Sequence, residues 1–165
     1  VNLIDYDAQV ARDDHWWRRL DYLELLCYEQ AATEPGATAE QMAEALRPHV
    51  ERFRRVAEGF GMPIVFGETG CTSSKGGAMT PSGWTPENGY DGQEQANYLD
   101  AVCRVFWDQP WWRGLYWWKW DEHNDRPHFQ DDPAGDKGFT ILGKPAMDVM
   151  AAWGQRAVGE HDVTP

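Results

Sequence analysis

Glu68 is the residue of this sequence whose setting best suits a nucleophile. It follows the apolar, partly β-branched run 62–66 (MPIVF) and is flanked by Gly67 and Gly70, which free the backbone for tight conformations. A retaining glycosidase uses one ionised carboxylate to attack an anomeric carbon and a second carboxyl group, about 5 Å away, to protonate the leaving oxygen. Glu68 could equally cap the following loop or pair with a surface cation, and position alone leaves the two readings level. Tyr28 stands one residue beyond another apolar run, where its phenol can donate to a carboxylate on a neighbouring strand and keep it ionised. An ordinary core or rim tyrosine is the alternative. There are 10 tryptophans in 165 residues, each with a flat apolar face able to stack on a sugar ring. For any single one, core packing is the commoner use. Trp118 and Trp120 alternate onto one face of a strand and Trp117 and Lys119 onto the other, so one pair points to the mouth or interior and the other to outer helices.

Other chemistries find less support. Asp121, Glu122, His123, Asn124 and Asp125, followed by His128, Asp131 and Asp132, match no ligand spacing, so a solvated loop is expected and no metal or cofactor. No GxSxG elbow is present. Cys27, Cys71 and Cys103 have no CxxC spacing and read as small buried hydrophobes. The net charge of −12, from 27 acidic against 15 basic residues, repels phosphate backbones and anionic lipid, which disfavours nucleic acid and membrane as partners. No apolar run reaches a membrane span, and no basic and apolar leader opens the chain. Because Val1 already lies in an apparent strand, an upstream signal is compatible with the sequence and localisation stays open.

These residues need elements to position them. With 42% hydrophobic residues the chain reads as one globular unit. Residues 1–6 (VNLIDY) read as a strand with a following loop, and 20–27 (LDYLELLC) as a buried strand. Thr38 and Gln41 form a capping-box pattern before Met42, Leu46, Val50, Phe53, Ala57 and Phe60, a helix that Pro48 is expected to break or kink. After the strand 62–66, residues 71–89 are rich in Gly, Ser, Thr and Pro, long for a connection and therefore functional in aspect. Asp91 and Glu94 open a second capped helix through Leu99, Val102, Cys103 and Phe106. An aromatic strand 114–120 (GLYWWKW) and a last helix from Pro145 follow. The domain runs over 1–158, with a frayed tail at 159–165. Alternation of strands and helices predicts an α/β fold with a parallel sheet, either doubly wound or part of a (β/α)8 barrel. No phosphate-binding glycine fingerprint follows a strand, and the strand ends are acidic or aromatic, as at a barrel mouth.

The stretches PIVFGETG (63–70), EQANYLDAVCRVFWDQPWWRGLYWWKWD (94–121) and GFTILGKPA (138–146) resemble the last two strands and closing segment of glycoside hydrolase family 113. The resemblance extends over nearly the whole chain. It implies the C-terminal half, about strands five to eight, of a (β/α)8 TIM barrel from a family that includes retaining β-1,4-mannanases. It also implies that Glu68 is the nucleophile ending the seventh strand, that Tyr28, ending the sixth, orients it, and that Trp118 or Trp120, ending the eighth, forms the platform under the sugar. Trp120, nearer the mouth, is slightly preferred. Trp16 and Trp17 are expected to add a more distant sugar contact.

Such barrels carry the acid/base glutamate at the end of the fourth strand, and this chain is expected to begin after it. The expected partners are therefore an oligosaccharide or polysaccharide substrate and the missing N-terminal half of the barrel. The chain alone is expected to be inactive, and sticky along its open edges. Were it active, Glu29 or Glu122 would become the candidate acid. A non-catalytic carbohydrate-binding protein or pseudoenzyme fragment is the competing reading.

Overall fold

The structure is a computed structural model and describes residues 6–84, 87–120 and 132–161. Three strands, β1 (Leu23–Cys27), β2 (Ile64–Thr69) and β3 (Trp112–Trp117), form a parallel sheet in sequential order β1-β2-β3. Among the described residues four α-helices accompany them: α1 (Tyr6–Val10), α2 (Ala39–Phe60), α3 (Gly92–Phe106) and α4 (Pro145–His161). The expected strand 1–6 falls almost wholly outside the described residues, and its last residue, Tyr6, begins α1. Residues 162–165 also lie outside them.

The helices lie against one face of the sheet. Leu23, Leu25 and Cys27 of β1 and Ile64 and Phe66 of β2 point into a core shared with Met42, Leu46 and Phe53 of α2 and with Val102 and Phe106 of α3. Phe66 is its centre, with ring centroids 4.9 Å from Phe53, 4.8 Å from Phe106 and 5.8 Å from Trp112. A second cluster joins Ala96, Leu99 and Cys103 of α3 to Ile141 and Ala146, with Val149, Met150 and Trp153 of α4 against it. A doubly wound sheet covers both faces and reverses strand order at a switch point. Sequential parallel strands with helices on one side are instead an arc of a (β/α)8 barrel.

Local chemistry explains the elements. At the start of α2 the Thr38 hydroxyl accepts from Gln41 N–H at 3.2 Å, and the Gln41 amide accepts from Thr38 N–H at 2.8 Å. Pro48 does not break α2, which runs unbroken over 22 residues to a left-handed Gly61, φ 68°. Pro48 is solvent-exposed, and α2 gains enough from its buried face to absorb the lost backbone bond. At α3, Asp91 caps the backbone N–H of Glu94 at 2.9 Å, but Glu94 does not complete the expected box. Its carboxylate turns to other amides, described below.

The bulges matter most for the site. Ile64 and Phe66 face the core, and simple alternation would send residue 68 there too. The pairing runs Leu25 with Phe66 and then Leu26 with Glu68, so Gly67 is an extra residue in β2. One added residue reverses the side-chain phase and turns Glu68 to the face opposite the helices. A Cβ at Gly67 would displace the Glu24 side chain, which lies across it from β1. In β3 a similar irregularity falls at Gly114, whose φ of 118° favours glycine.

Candidate active site

Glu68 emerges from β2 beside Tyr28, the residue following β1. The Tyr28 hydroxyl donates to Glu68 Oε2 at 3.2 Å. Burial first, and then the negative charge of Glu68, push the Tyr28 phenol above its ordinary range, so it stays a protonated donor through neutral pH. Tyr28 and Glu68 line a cleft of about 280 Å³ with Leu26, Ser82, Trp118 and Phe139. That volume is near the lower end of small-ligand cavities, roughly 300–1,000 Å³.

Trp118 stands just beyond β3 and is 43% exposed, leaving indole surface open to a ligand. Its backbone N–H donates to Thr69 O at 2.8 Å, and a Cβ on Gly70 would run into its carbonyl oxygen. The ends of β2 and β3 therefore touch through their backbones, which fixes Trp118 relative to Glu68. The Trp118–Lys119 peptide is cis. Trp117 points the other way: it packs against the core and donates from Nε1 to Phe139 O at 2.8 Å.

A buried polar frame holds the surrounding loops. The Glu94 carboxylate, in a residue only 1% exposed, accepts from the backbone N–H groups of Gly36 at 3.2 Å, Gly76 at 3.0 Å and Ala78 at 3.1 Å. It thereby ties the loops after β1 and β2 to α3. Gln95 donates to Cys71 O at 2.9 Å and to Phe139 O at 3.1 Å. Lys144 Nζ donates to Ser73 Oγ at 2.9 Å and lies 3.4 Å from Asp136 Oδ2. Tyr98 donates to Glu29 O at 3.2 Å, which steadies the segment that follows Tyr28.

The sequence-based candidates divide. Glu68, Tyr28 and Trp118 are brought together, whereas Trp120, 61% exposed, does not line the cleft, so the order of preference between Trp118 and Trp120 is reversed: β3 ends at Trp117, and strand alternation no longer governs residue 120. Trp16 and Trp17 are also kept apart from Glu68. They form a short 3-10 turn that enters β1 from its N-terminal end, and Trp17 packs 5.6 Å from Phe60 at the end of α2. Both line a separate cleft of about 390 Å³ with residues 20–25. The Glu29 carboxylate is engaged by His49 at 3.3 Å and by the Arg52 guanidinium at 3.1 Å, and it lines a different cleft, with residues 30–37. Glu122 and the rest of 121–131 lie outside the described residues, and among those described no second carboxylate lines the cleft. Phe139 and Ser82 were not singled out from sequence. The signal for Phe139 was its place inside the 138–146 stretch.

A carboxylate oriented by a phenol, over an open indole and an apolar wall, fits attack on a sugar carbon. The comparisons agree in kind. The profile described as Glycoside Hydrolase Family 113 matches residues 2–144. No curated protein matches the chain. Among solved structures, GH113 β-mannanase AaManA from Alicyclobacillus acidocaldarius, in complex with ManMIm, is 27% identical with a TM-score of 0.67, over 84% of this chain and 40% of that one. A GH113 β-1,4-mannanase is 25% identical with a TM-score of 0.66 over the same shares. A complex structure of a GH113 β-1,4-mannanase, at 24% identity and a TM-score of 0.61, shares the fold. This chain thus spans 40% of the length of these enzymes. With the family profile covering nearly the whole sequence, the chain belongs to glycoside hydrolase family 113.

Proposed function

We propose that this chain carries the nucleophile half of a retaining glycoside hydrolase of the β-mannanase type, acting on β-1,4-linked mannan oligosaccharide or polysaccharide. The observation that carries the proposal is the Tyr28–Glu68 hydrogen bond at the wall of a cleft lined by Trp118. In the first step a Glu68 oxygen bonds to the anomeric carbon as the glycosidic C–O bond breaks, and a second carboxyl group gives its proton to the leaving oxygen. Water then attacks the glycosyl ester, its proton returns to that second group, and Glu68 is released. Tyr28 aims Glu68 through that hydrogen bond, and Trp118 receives the sugar ring. The second carboxyl group is proposed to come from outside these 165 residues, so the chain by itself should not turn over natural substrate.

A 2-deoxy-2-fluoro-mannosyl fluoride tests the nucleophile separately from the acid, because fluoride departs without a donated proton. The expected result is a glycosyl mass increment on the peptide containing Glu68, absent in Glu68→Gln. Oligosaccharide binding without any such label would overturn the nucleophile and leave a carbohydrate-binding protein. Turnover of manno-oligosaccharides by the chain alone, abolished by Glu68→Gln, would overturn the external acid.

A further inference from the structure

Trp84 is a large aromatic side chain for which the reading above has no use. It is 62% exposed, whereas Trp111 and Trp112 are 8% and 7% exposed, so its surface contributes little to the core. Even so, the indole is held. It stacks on Phe139 with ring centroids 6.2 Å apart and planes inclined by 26°. Gly138 leaves room for it, because a Cβ there would stand 3.0 Å from Trp84 Cζ3. Phe139 lines the Glu68 cleft, and so does Ser82, just before Trp84 in the chain.

The segment leading to Trp84 is braced. Gly83 N–H donates to Thr80 O at 2.7 Å, and Ala78 is bound on one side by Glu94 and on the other by the amides of Ala31 and Ala32. An indole fixed at the rim of a cleft, with one face on Phe139 and much of the remainder in water, is a preorganised surface for a flat apolar ligand face. A pyranose ring presents such a face. In a β-1,4-linked chain the unit next to the one in the cleft must pass over the rim.

We propose that Trp84 forms a second aromatic subsite, binding the sugar that adjoins the one attacked by Glu68, so that the site grips manno-oligosaccharides better than the monosaccharide. This rests on the glycosidase reading above. The test is calorimetric titration of the 165-residue chain with mannose and β-1,4-mannopentaose, comparing wild type, Trp84→Ala, Trp84→Phe and Trp118→Ala. Far-UV circular dichroism verifies that each variant is folded. Trp84→Ala is expected to weaken mannopentaose about fivefold to tenfold and mannose less than about twofold, and Trp84→Phe to restore most of the loss. Trp118→Ala is expected to weaken both sugars. If Trp118→Ala weakens both but Trp84→Ala changes neither, or both equally, the subsite is overturned and the cleft reading stands. If wild type binds neither sugar, or Trp118→Ala leaves both unchanged, the cleft reading fails and takes the subsite with it.

Discussion

Tyr28 donates a hydrogen bond of 3.2 Å to Glu68, and that contact alters how the phenol titrates. Tyr28 is raised by burial and by its neighbour's charge, so the phenol keeps its proton beyond the ordinary tyrosine range, near pH 10. The sign follows. A group raised on folding contributes stability that is fully present below its unfolded pKa and is lost as pH climbs toward the folded one. In a spectrophotometric titration, Tyr28→Phe should remove absorbance from the late-ionising phase and leave the ordinary phase unchanged. Loss from the ordinary phase instead would show that the bond is not formed. The same substitution should slow fluoromannosyl labelling about tenfold or more, the scale of one hydrogen bond to a charged group. Of this site, the position of Glu68 at a strand end was legible, since an apolar run and two glycines mark it. Its direction was not: Ile64 and Phe66 set a phase that leads residue 68 into the core, and only pairing with β1 reveals the extra residue at Gly67. Phe139 and Ser82 come from aperiodic segments, where no pattern announces a neighbour across the fold.

Among the elements, α3 does more than fill space. Its buried Glu94 gathers backbone amides from the loops after β1 and β2, so the geometry around the cleft depends on a side chain outside it. Glu94→Ala would leave three amides without this acceptor, and a loss of roughly 3–5 kcal/mol is expected on chemical denaturation. Glu94→Gln, which keeps one acceptor oxygen, should cost less. Equal stability of Glu94→Ala and wild type would show that water replaces the carboxylate fully. The helix itself was readable from Asp91 and the apolar spacing that follows. The use of Glu94 was not, because Asp91 N–H is taken by Ser73 O, and the amides that claim the carboxylate lie on distant loops. Pro48 was misread for a related reason: local preference speaks against a proline inside a helix, while burial of Met42, Leu46, Phe53 and Phe60 along one side speaks for continuity.

For the molecule as a whole, the helices among the described residues cover one face of the sheet. The other presents Leu26 and Glu68, with Tyr116 at 68% exposed and Trp118 at 43%. The net charge of −12 opposes contact between copies at low salt. Screening shortens that repulsion to about 10 Å at 0.1 M salt and about 3 Å at 1 M. Light scattering is therefore expected to show the apparent mass rising with salt as apolar faces meet. A mass independent of salt would mean that the open face is not adhesive. The fold class was legible at this scale because strands and helices alternate along the chain, and the choice of barrel arc over doubly wound sheet required the helices to be seen on a single side. No helix among the described residues is long and apolar enough to cross a membrane.

The close approach of Gly70 to the Trp118 carbonyl has a bearing on redesign. Saturation of position 70 in a variant library should return glycine almost alone, whichever sugar the selection rewards, since even a methyl group would wedge the Trp118 backbone away from the end of β2. Changes of specificity must then be sought at the rim, where side chains can be exchanged without altering that spacing.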